Sequence, residues 1–359
     1  MSIFDQHEQY FYVGGYSSAE EPGIHLCALN LGSGRLRLVD CTSGIENPSF
    51  LIVSEWSDEL RLFAAMECEE GKVAAYNIER SDGRLTLLRS ESTGGASPCH
   101  VSLSPSRHLL VANYSSGHVN SFELDEQGRL AGKAATVQHV GSGFRQDRQE
   151  SAHAHHVLPS KDGRYAFVSD LGLDQIIIYR LEDGKLVTHR EVVLPPGAGP
   201  RHFIIHPSDA IAYGINELNN TITVYAYNPT HGILEILQHV STLPENFAEE
   251  SYAADIHISP DGKYLYASNR GHDSIVRFKL DESDGGLSAP EWTSTGGRWP
   301  RNFAVTYDFV IVANQFSNNI KVLRRDPVTG SLSLTDSELE VKEPSCVAIV
   351  PHESQVSGV

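Results

Sequence analysis

The chain has 359 residues, with 46 acidic against 28 basic side chains and a formal net charge of −18. This balance disfavours sequence-independent binding to nucleic acid, which needs a basic face that displaces counterions. No apolar run approaches the roughly 18 residues of a membrane-spanning helix, and the first residues lack the pattern of a secretory signal peptide. We therefore expect neither a nucleic-acid partner nor a membrane partner.

The five cysteines are widely spaced and include no Cys-x-x-Cys pair. An odd number of scattered thiols is typical of a reducing compartment. The sequence therefore predicts a cytoplasmic protein whose cysteines are small core residues. We also expect a monomer or a weak homodimer.

A pattern of short strands recurs along the chain and is clearest in residues 251–280. This segment has an apolar run, a Ser-Pro-Asp-Gly turn at 259–262, a second run and then a third. Short aromatic and β-branched runs separated by such turns are typical of antiparallel strands. The third strands of successive units begin near Ile24, Val73, Val119, Ile176, Ile222, Ile275 and Ile320.

A Gly-x-Leu-like turn follows each third strand, from Gly34 in the first unit to Gly330 in the last. The six intervals between these glycines average about 49 residues, within the range of propeller blades. The alternative is a β-sandwich with coincidental turns. Seven units in one register favour an all-β, seven-bladed β-propeller with four-stranded antiparallel blades.

The two ends of the chain complete each other in this pattern. The last apolar segment, 344–350, has no further strands behind it, and the first unit begins directly at a second strand, 10–14. The N- and C-terminal strands are therefore predicted to share one blade and to close the ring, which leaves no free sheet edge. We expect residues 1–359 to form a single domain. The longest insertion, 131–152, is either a surface loop or a lid or wall over one mouth of the channel.

Two positions of the repeat should face the central channel, at the start of each first strand and after each second strand. The first position is occupied by Ser49, Cys99, His155, Arg201, Asp255, Arg301 and Ser345. The second is occupied by Tyr16, Glu67, Tyr114, Leu171, Glu217, Arg270 and Gln315. Buried charges without partners are unfavourable, so this ring is either internally paired or prepared for a charged ligand.

The arginines of this set favour an anionic ligand, because guanidinium binds carboxylate or phosphate through two parallel hydrogen bonds. The alternative is a self-paired network, with Arg201 bound to Glu217 and Arg270 bound to Asp255. His155 faces the predicted channel, and a histidine pKa near 6.5 suits proton transfer at neutral pH.

A metal site would have to use His153 and His155, which share a strand face at a spacing found in zinc sites. The sequence places neither a cysteine nor a third histidine where it would complete a ligand set. We therefore expect no metal and no other cofactor.

Several short motifs stand at or beside the channel positions. They are Gly199-Pro200-Arg201-His202, Asn216-Glu217-Leu218, residues 268–274, Trp299-Pro300-Arg301-Asn302-Phe303, and His153-Ala154-His155 after Arg148-Gln149-Glu150. Together they resemble the seven-bladed lactonase family, which includes bacterial propeller-type 6-phosphogluconolactonase and fungal carboxy-cis,cis-muconate cyclase. The resemblance covers nearly the whole chain.

The resemblance implies an active site in the central channel. The catalytic residues that it implies are His155, Glu217, Arg201 and Arg270. The substrate-binding residues that we expect beside them are Arg301, His153, Asp255, Glu67 and Gln315. Asp255 stands where the family often has a glutamate.

The reaction implied by the resemblance is hydrolysis of a sugar lactone. The expected substrate is small and anionic, 6-phospho-D-glucono-1,5-lactone, and the product is 6-phosphogluconate of the pentose phosphate pathway. His155 or Glu217 would activate water, and Arg201 or Arg270 would hold the oxyanion. Two alternatives stay open: cyclisation of carboxy-cis,cis-muconate in aromatic catabolism, and a non-catalytic propeller scaffold.

Overall fold

A computed structural model describes residues 3–4, 6–57 and 59–351. Within these residues the chain forms seven four-stranded antiparallel sheets. Their innermost strands contact one another in sequence around a central channel. The prediction of a seven-bladed, all-β propeller is confirmed. Residues 1–2, 5, 58 and 352–359 of the predicted single domain lie outside the described residues.

The strands are numbered in chain order. Blade 1 begins with β1 (Glu8–Gly15), β2 (Ile24–Asn30) and β3 (Leu36–Thr42). The strands of each later blade are given from the innermost outward. Blade 2 contains β4 (Pro48–Trp56), β5 (Glu59–Met66), β6 (Lys72–Ile78) and β7 (Leu85–Ser92), and blade 3 contains β8 (Pro98–Leu103), β9 (His108–Asn113), β10 (His118–Leu124) and β11 (Leu130–Gln138). Blade 4 contains β12 (Ala154–Pro159), β13 (Tyr165–Asp170), β14 (Gln175–Glu182) and β15 (Lys185–Val193).

Blades 5 to 7 follow the same order. Blade 5 contains β16 (Pro200–Ile205), β17 (Ile211–Asn216), β18 (Thr221–Asn228) and β19 (Ile233–Ser241), and blade 6 contains β20 (Tyr252–Ile258), β21 (Tyr264–Arg270), β22 (Ser274–Leu280) and β23 (Leu287–Ser294). Blade 7 contains β24 (Pro300–Val305), β25 (Phe309–Asn314), β26 (Asn319–Arg325) and β27 (Leu332–Glu340). The last strand is β28 (Pro344–Ile349), and a short 3₁₀ helix spans Gln315–Ser317. No helix in the described part of the chain is long and apolar enough to cross a membrane.

Ring closure is provided by β28, which pairs antiparallel with β1 and becomes the innermost strand of blade 1. Tyr12 lies opposite Ala348, and Val13 lies opposite Val347. The predicted sharing of one blade by the two terminal strands is therefore confirmed.

Packing between the blades explains the sequence pattern within each blade. Every residue of β13 and β25 is buried, because these strands pack against neighbouring blades on both faces. The outermost strand β27 instead alternates exposed and partly buried residues over most of its length. Between blades 7 and 1, Phe309 and Ile311 pack in one cluster with Phe11 and Val13.

The repeated Gly-x-Leu-like turns also join neighbouring blades. Gly330 has a φ of 70°, and a side chain there would bring its Cβ within 2.5 Å of the Tyr264 ring. The hydroxyl of Tyr266 donates a hydrogen bond to the carbonyl of Gly330 at 2.6 Å. Glycine is required at this turn because both the backbone conformation and the close approach exclude a side chain.

Candidate active site

A β-bulge at the opening of the innermost strands sets the positions of several channel residues. In blade 4, the pairing with the next strand passes from Ala154 to His156 and leaves out His155. The pairing leaves out Arg201 in blade 5 and Arg301 in blade 7 in the same way. Bulges commonly redirect a side chain beside a functional site. Here they take the residue at the first channel position out of the regular strand pairing in each of these blades.

A cavity of about 330 Å³ opens at this face of the propeller. Its lining residues are Tyr16, Glu67, Cys99, Tyr114, Arg148, His155, Glu217, Arg270 and Arg301. The volume lies at the lower end of the range for small-molecule sites. The cavity therefore brings together five of the nine site residues predicted from the sequence, which are Glu67, His155, Glu217, Arg270 and Arg301.

The carboxylate of Glu217 is held by three arginines. Arg148 Nη2 lies 2.5 Å from Oε1, whereas Arg270 Nη2 and Arg201 Nε lie 2.7 Å and 3.0 Å from Oε2. Burial raises the pKa of Glu217, but the positive charges of Arg270, Arg201 and Arg148 outweigh it and hold the pKa well below its ordinary value. Glu217 is thus a fixed anion that orders the arginines, and it is a weak base.

The predicted pairing of Arg270 with Asp255 is wrong, because Arg270 binds Glu217 instead. The guanidinium of Arg270 also lies over the Trp299 ring, 5.4 Å from its centre, and over Tyr252 at 5.9 Å. These aromatic faces fix the arginine by cation–π contact. The other predicted pair, Arg201 with Glu217, is present.

Arg301 lies on another side of the cavity and has a looser carboxylate partner. Its Nη2 is 3.9 Å from the carboxylate of Glu67, which also accepts a 2.8 Å hydrogen bond from the Tyr16 hydroxyl. The guanidinium lies 5.5 Å from the centre of the Tyr16 ring. A guanidinium held at this distance from its carboxylate keeps hydrogen-bonding capacity for an anionic ligand.

His155 is 4 % exposed and lines the cavity, and its Nδ1 has no hydrogen-bond partner among the described residues. Burial lowers the pKa of His155 well below its ordinary 6.5, and the nearby charges of Arg201 and Arg301 lower it further. The imidazole is therefore neutral near pH 7 and can accept a proton.

Arg148 is the lining residue that the repeat register did not select. Residues 131–138 of the predicted insertion form most of β11, the outermost strand of blade 3. Arg148 comes from the loop between β11 and β12, which the buried side chain of Gln149 holds in place. Gln149 Nε2 donates to Leu171 O at 2.8 Å and to Asp174 Oδ1 at 2.7 Å. The insertion thus forms part of the cavity wall. The sequence feature that could have identified Arg148 is the Arg148-Gln149-Glu150 segment before the His-Ala-His motif.

Four predicted site residues do not line this cavity. Arg201 lies beneath it, in the wall of a second space of about 10 Å³. His153 stacks on Tyr114 with ring centres 4.4 Å apart and lies 3.2 Å from Glu150. Gln315 is buried at the start of the 3₁₀ helix.

Asp255 is the fourth of these residues and is deeply buried in the channel. His202 Nδ1 lies 2.7 Å from Oδ1, while Asn302 Nδ2 and His257 Nε2 lie 2.6 Å and 2.9 Å from Oδ2. Burial raises its pKa, but the contacts with His257 and His202 lower it well below the ordinary value. This carboxylate therefore joins the inner strands of blades 5, 6 and 7 instead of facing the cavity.

A metal-binding arrangement of three or more His, Cys, Asp or Glu side chains does not occur within the described ranges. His153 and His155 contact Tyr114 from different sides, stacked in one case and edge-on in the other.

Residues 10–349 match the family described as lactonase, 7-bladed beta-propeller. The chain belongs to this lactonase family. The match covers nearly all of the propeller, so the resemblance inferred from the motifs is confirmed, together with the enzyme class of a lactone-acting, carboxylic-ester hydrolase.

Two relatives in the lactonase family carry the name 6-phosphogluconolactonase. The protein from Bacillus subtilis is 35 % identical over 340 residues, which cover 94 % of this chain and 97 % of the relative. The protein from Formosa agariphila is 37 % identical over 349 residues, which cover 93 % and 97 %.

A solved structure shows the same propeller. The periplasmic gluconolactonase of Pseudomonas aeruginosa superposes with a TM-score of 0.89 at 31 % sequence identity, over 96 % of this chain and 99 % of that one. The architecture of the lactonase family is therefore shared over the whole ring.

Proposed function

We propose that the protein hydrolyses 6-phospho-D-glucono-1,5-lactone to 6-phosphogluconate. The observation that carries this proposal is the charge at the cavity. Three arginines line it and Arg201 lies directly beneath, against two carboxylates, Glu67 and Glu217. The excess of two positive charges matches a phosphate monoester, which carries about −1.5 to −2 charges near pH 7. The relatives named 6-phosphogluconolactonase support the same substrate.

His155 is the proposed general base. Its neutral imidazole takes a proton from water as the water oxygen attacks the lactone carbonyl carbon. The tetrahedral intermediate then collapses, the bond to the ring oxygen breaks, and the imidazolium returns the proton to that oxygen. Glu217 is less suited to this role, because three arginines stabilise its anionic form.

Arg270 is the proposed oxyanion donor. It lines the cavity and is fixed by Glu217, Trp299 and Tyr252, so its charge is already in position when the carbonyl oxygen becomes negative. Arg301 and Arg148 remain to hold the phosphate. Arg201 supports Glu217 from below instead of touching the substrate.

The test is turnover by the purified protein of three compounds in parallel. These are 6-phosphogluconolactone, D-glucono-1,5-lactone and carboxy-cis,cis-muconate, each corrected for its spontaneous reaction. The proposal expects the highest kcat/KM for the phosphorylated lactone. Preference for the muconate would establish cyclisation instead, and no turnover of any compound would favour a non-catalytic scaffold.

We further propose that the protein acts in the cytoplasm, as a monomer or weak homodimer. All five cysteines are free thiols, and Cys27, Cys99 and Cys346 are buried. Such unpaired thiols suit a reducing compartment. Cell fractionation tests the location, and sedimentation of the purified protein tests the oligomeric state.

A further inference from the structure

A chain of hydrogen bonds runs beneath the cavity from Asp255 through His202 to Arg201. His202 Nδ1 lies 2.7 Å from Asp255 Oδ1, and its Nε2 lies 3.1 Å from Arg201 Nη1. Arg201 Nη1 also donates to Ala254 O at 2.7 Å, and its Nε donates to Glu217 at 3.0 Å. Three consecutive hydrogen bonds, through the side chains of His202 and Arg201, therefore connect a carboxylate deep in the channel to the carboxylate at the cavity.

The chemistry of these groups fixes the tautomer of His202. A guanidinium has only hydrogen-bond donors, so His202 Nε2 must be the acceptor in its contact with Arg201. The single ring proton then resides on Nδ1 and is donated to Asp255. Asp255 is itself fixed, because the Phe303 amide and Asn302 Nδ2 donate to its other oxygen at 3.1 Å and 2.6 Å.

Because His202 is neutral, it can orient Arg201 without cancelling the charge of the guanidinium. Burial and the charge of Arg201 lower the pKa of His202 to about 4, although the hydrogen bond to Asp255 and its negative charge act to raise this pKa. A carboxylate in the same place would cancel much of the positive charge of Arg201. A neutral imidazole orients the guanidinium and leaves its charge available to Glu217 and the cavity.

The position of Arg201 matters because it shares one oxygen with Arg270. Both arginines bind Glu217 Oε2, Arg201 from beneath the cavity and Arg270 from its wall. Without Arg201 at this oxygen, Glu217 would be held by Arg148 and Arg270 alone. The carboxylate that orders Arg270 would then be less firmly fixed.

We propose that Asp255 and His202 are positioning residues that, through Arg201 and Glu217, keep Arg270 placed for the reaction. This role rests on the proposed lactonase function. It replaces the substrate-binding role expected for Asp255 from the sequence, and it assigns His202 a task in the same site.

The first test measures the tautomer directly. In protein labelled with ¹⁵N histidine, the His202 signals are assigned by comparison with the His202→Gln variant. At pH 7 the proton is expected on Nδ1, with Nε2 unprotonated, and the signal should change in Asp255→Asn. A proton on Nε2, or on both nitrogens, would overturn the proposal. This measurement needs no substrate, so it decides the orientation even if the protein hydrolyses no lactone.

The second test separates hydrogen bonding from packing at His202. His202→Leu removes the acceptor for Arg201 and is expected to lower kcat at least about 10-fold, in line with loss of a hydrogen bond to a charged group, while KM changes less than about threefold. His202→Gln supplies an amide oxygen as acceptor and should recover kcat to within about threefold of wild type.

Two results would contradict this role. One is a His202→Leu variant with wild-type kcat. The other is a His202→Gln variant as impaired as the leucine variant, which would show that the ring only fills space. If His202→Leu does not fold, the kinetics of the glutamine variant and the tautomer measurement still test the positioning role of His202. Absence of lactone turnover by the wild type would instead refute the proposed function.

Discussion

Arg148 and Glu217 are 69 residues apart in the chain, yet Arg148 Nη2 lies 2.5 Å from Glu217 Oε1. Through this contact an insertion outside the blade repeat completes a cluster of three arginines around one buried carboxylate. The cluster makes Glu217 important for stability as well as for activity.

We expect Glu217→Gln to lower the free energy of unfolding by about 3 to 5 kcal/mol, because it leaves buried arginines without their shared partner. Chemical denaturation measures this loss. The matched control is Glu235→Gln, an exposed position on the outermost strand of the same blade, which should change stability by less than about 0.5 kcal/mol.

The effect of Glu217 should depend on pH in a defined direction. Its pKa is held below the ordinary 4.5, so its contribution is present above about that pH and is lost as the pH falls below it. The difference in stability between wild type and Glu217→Gln should therefore shrink between pH 6 and pH 3. A constant difference would mean that the carboxylate charge is not what stabilises the protein.

His155→Ala should lower kcat by at least about 100-fold with the fold intact, as expected for loss of a general base. Steady-state kinetics with 6-phosphogluconolactone and circular dichroism measure the two quantities. His189→Ala, on the outermost strand of the same blade, serves as control and should retain wild-type kcat. Near-normal activity of the His155 variant would remove this residue from the mechanism.

Arg301→Ala should mainly raise KM for the phosphorylated lactone, by about 10- to 100-fold, because it removes a charge-assisted hydrogen bond to the phosphate. The KM for D-glucono-1,5-lactone should change little. Arg298→Ala, an exposed arginine three residues earlier, is the control. Equal losses for both substrates would show that Arg301 orders the cavity and does not select phosphate.

The pH profile should reflect the neutral state of His155. Its pKa lies well below 6.5, so kcat/KM for the unphosphorylated lactone should stay constant from pH 7 to below pH 6 and fall only at lower pH. Bound phosphate adds negative charge beside the arginines and should raise this pKa. The acid limb of kcat for the phosphorylated lactone should then lie at higher pH. Loss of kcat/KM for the unphosphorylated lactone centred near pH 6.5 would contradict the assignment.

Deletion of residues 343–359 should give an aggregating or unfolded protein, because it removes β28 and exposes the edge of β1. Deletion of 352–359 alone removes no described residue and serves as control. Size-exclusion chromatography and thermal melting compare the two. A monomeric longer deletion with wild-type stability would refute closure by this strand.

Sequence patterns predicted the fold because every blade repeats the same turns and the same pair of channel positions. They also selected Glu67, His155, Glu217, Arg270 and Arg301, because the two channel positions recur in register. Arg148 escaped the register because it lies in an insertion, where no repeat indicates the direction of a side chain.

The repeat pattern also could not predict how deeply a side chain lies in the channel. Arg201 and Asp255 occupy the same repeat position as His155, but neither of them lines the cavity. Their placement depends on partners from neighbouring blades, such as the Asn302 amide on Asp255. Contacts between residues of different blades produce no regular spacing in the sequence, so the sequence alone could not predict them.

The pairing of β28 with β1 also has a consequence for synthesis of the protein. Blade 1 contributes its outer three strands by residue 42, but its innermost strand starts only at Pro344. At roughly 5 to 20 residues per second, the ribosome needs about 15 to 60 s to make the intervening chain. The edge of β1 stays uncovered during that interval, and chaperones that shield strand edges would act on this nascent chain more than on one whose blades were each completed in turn.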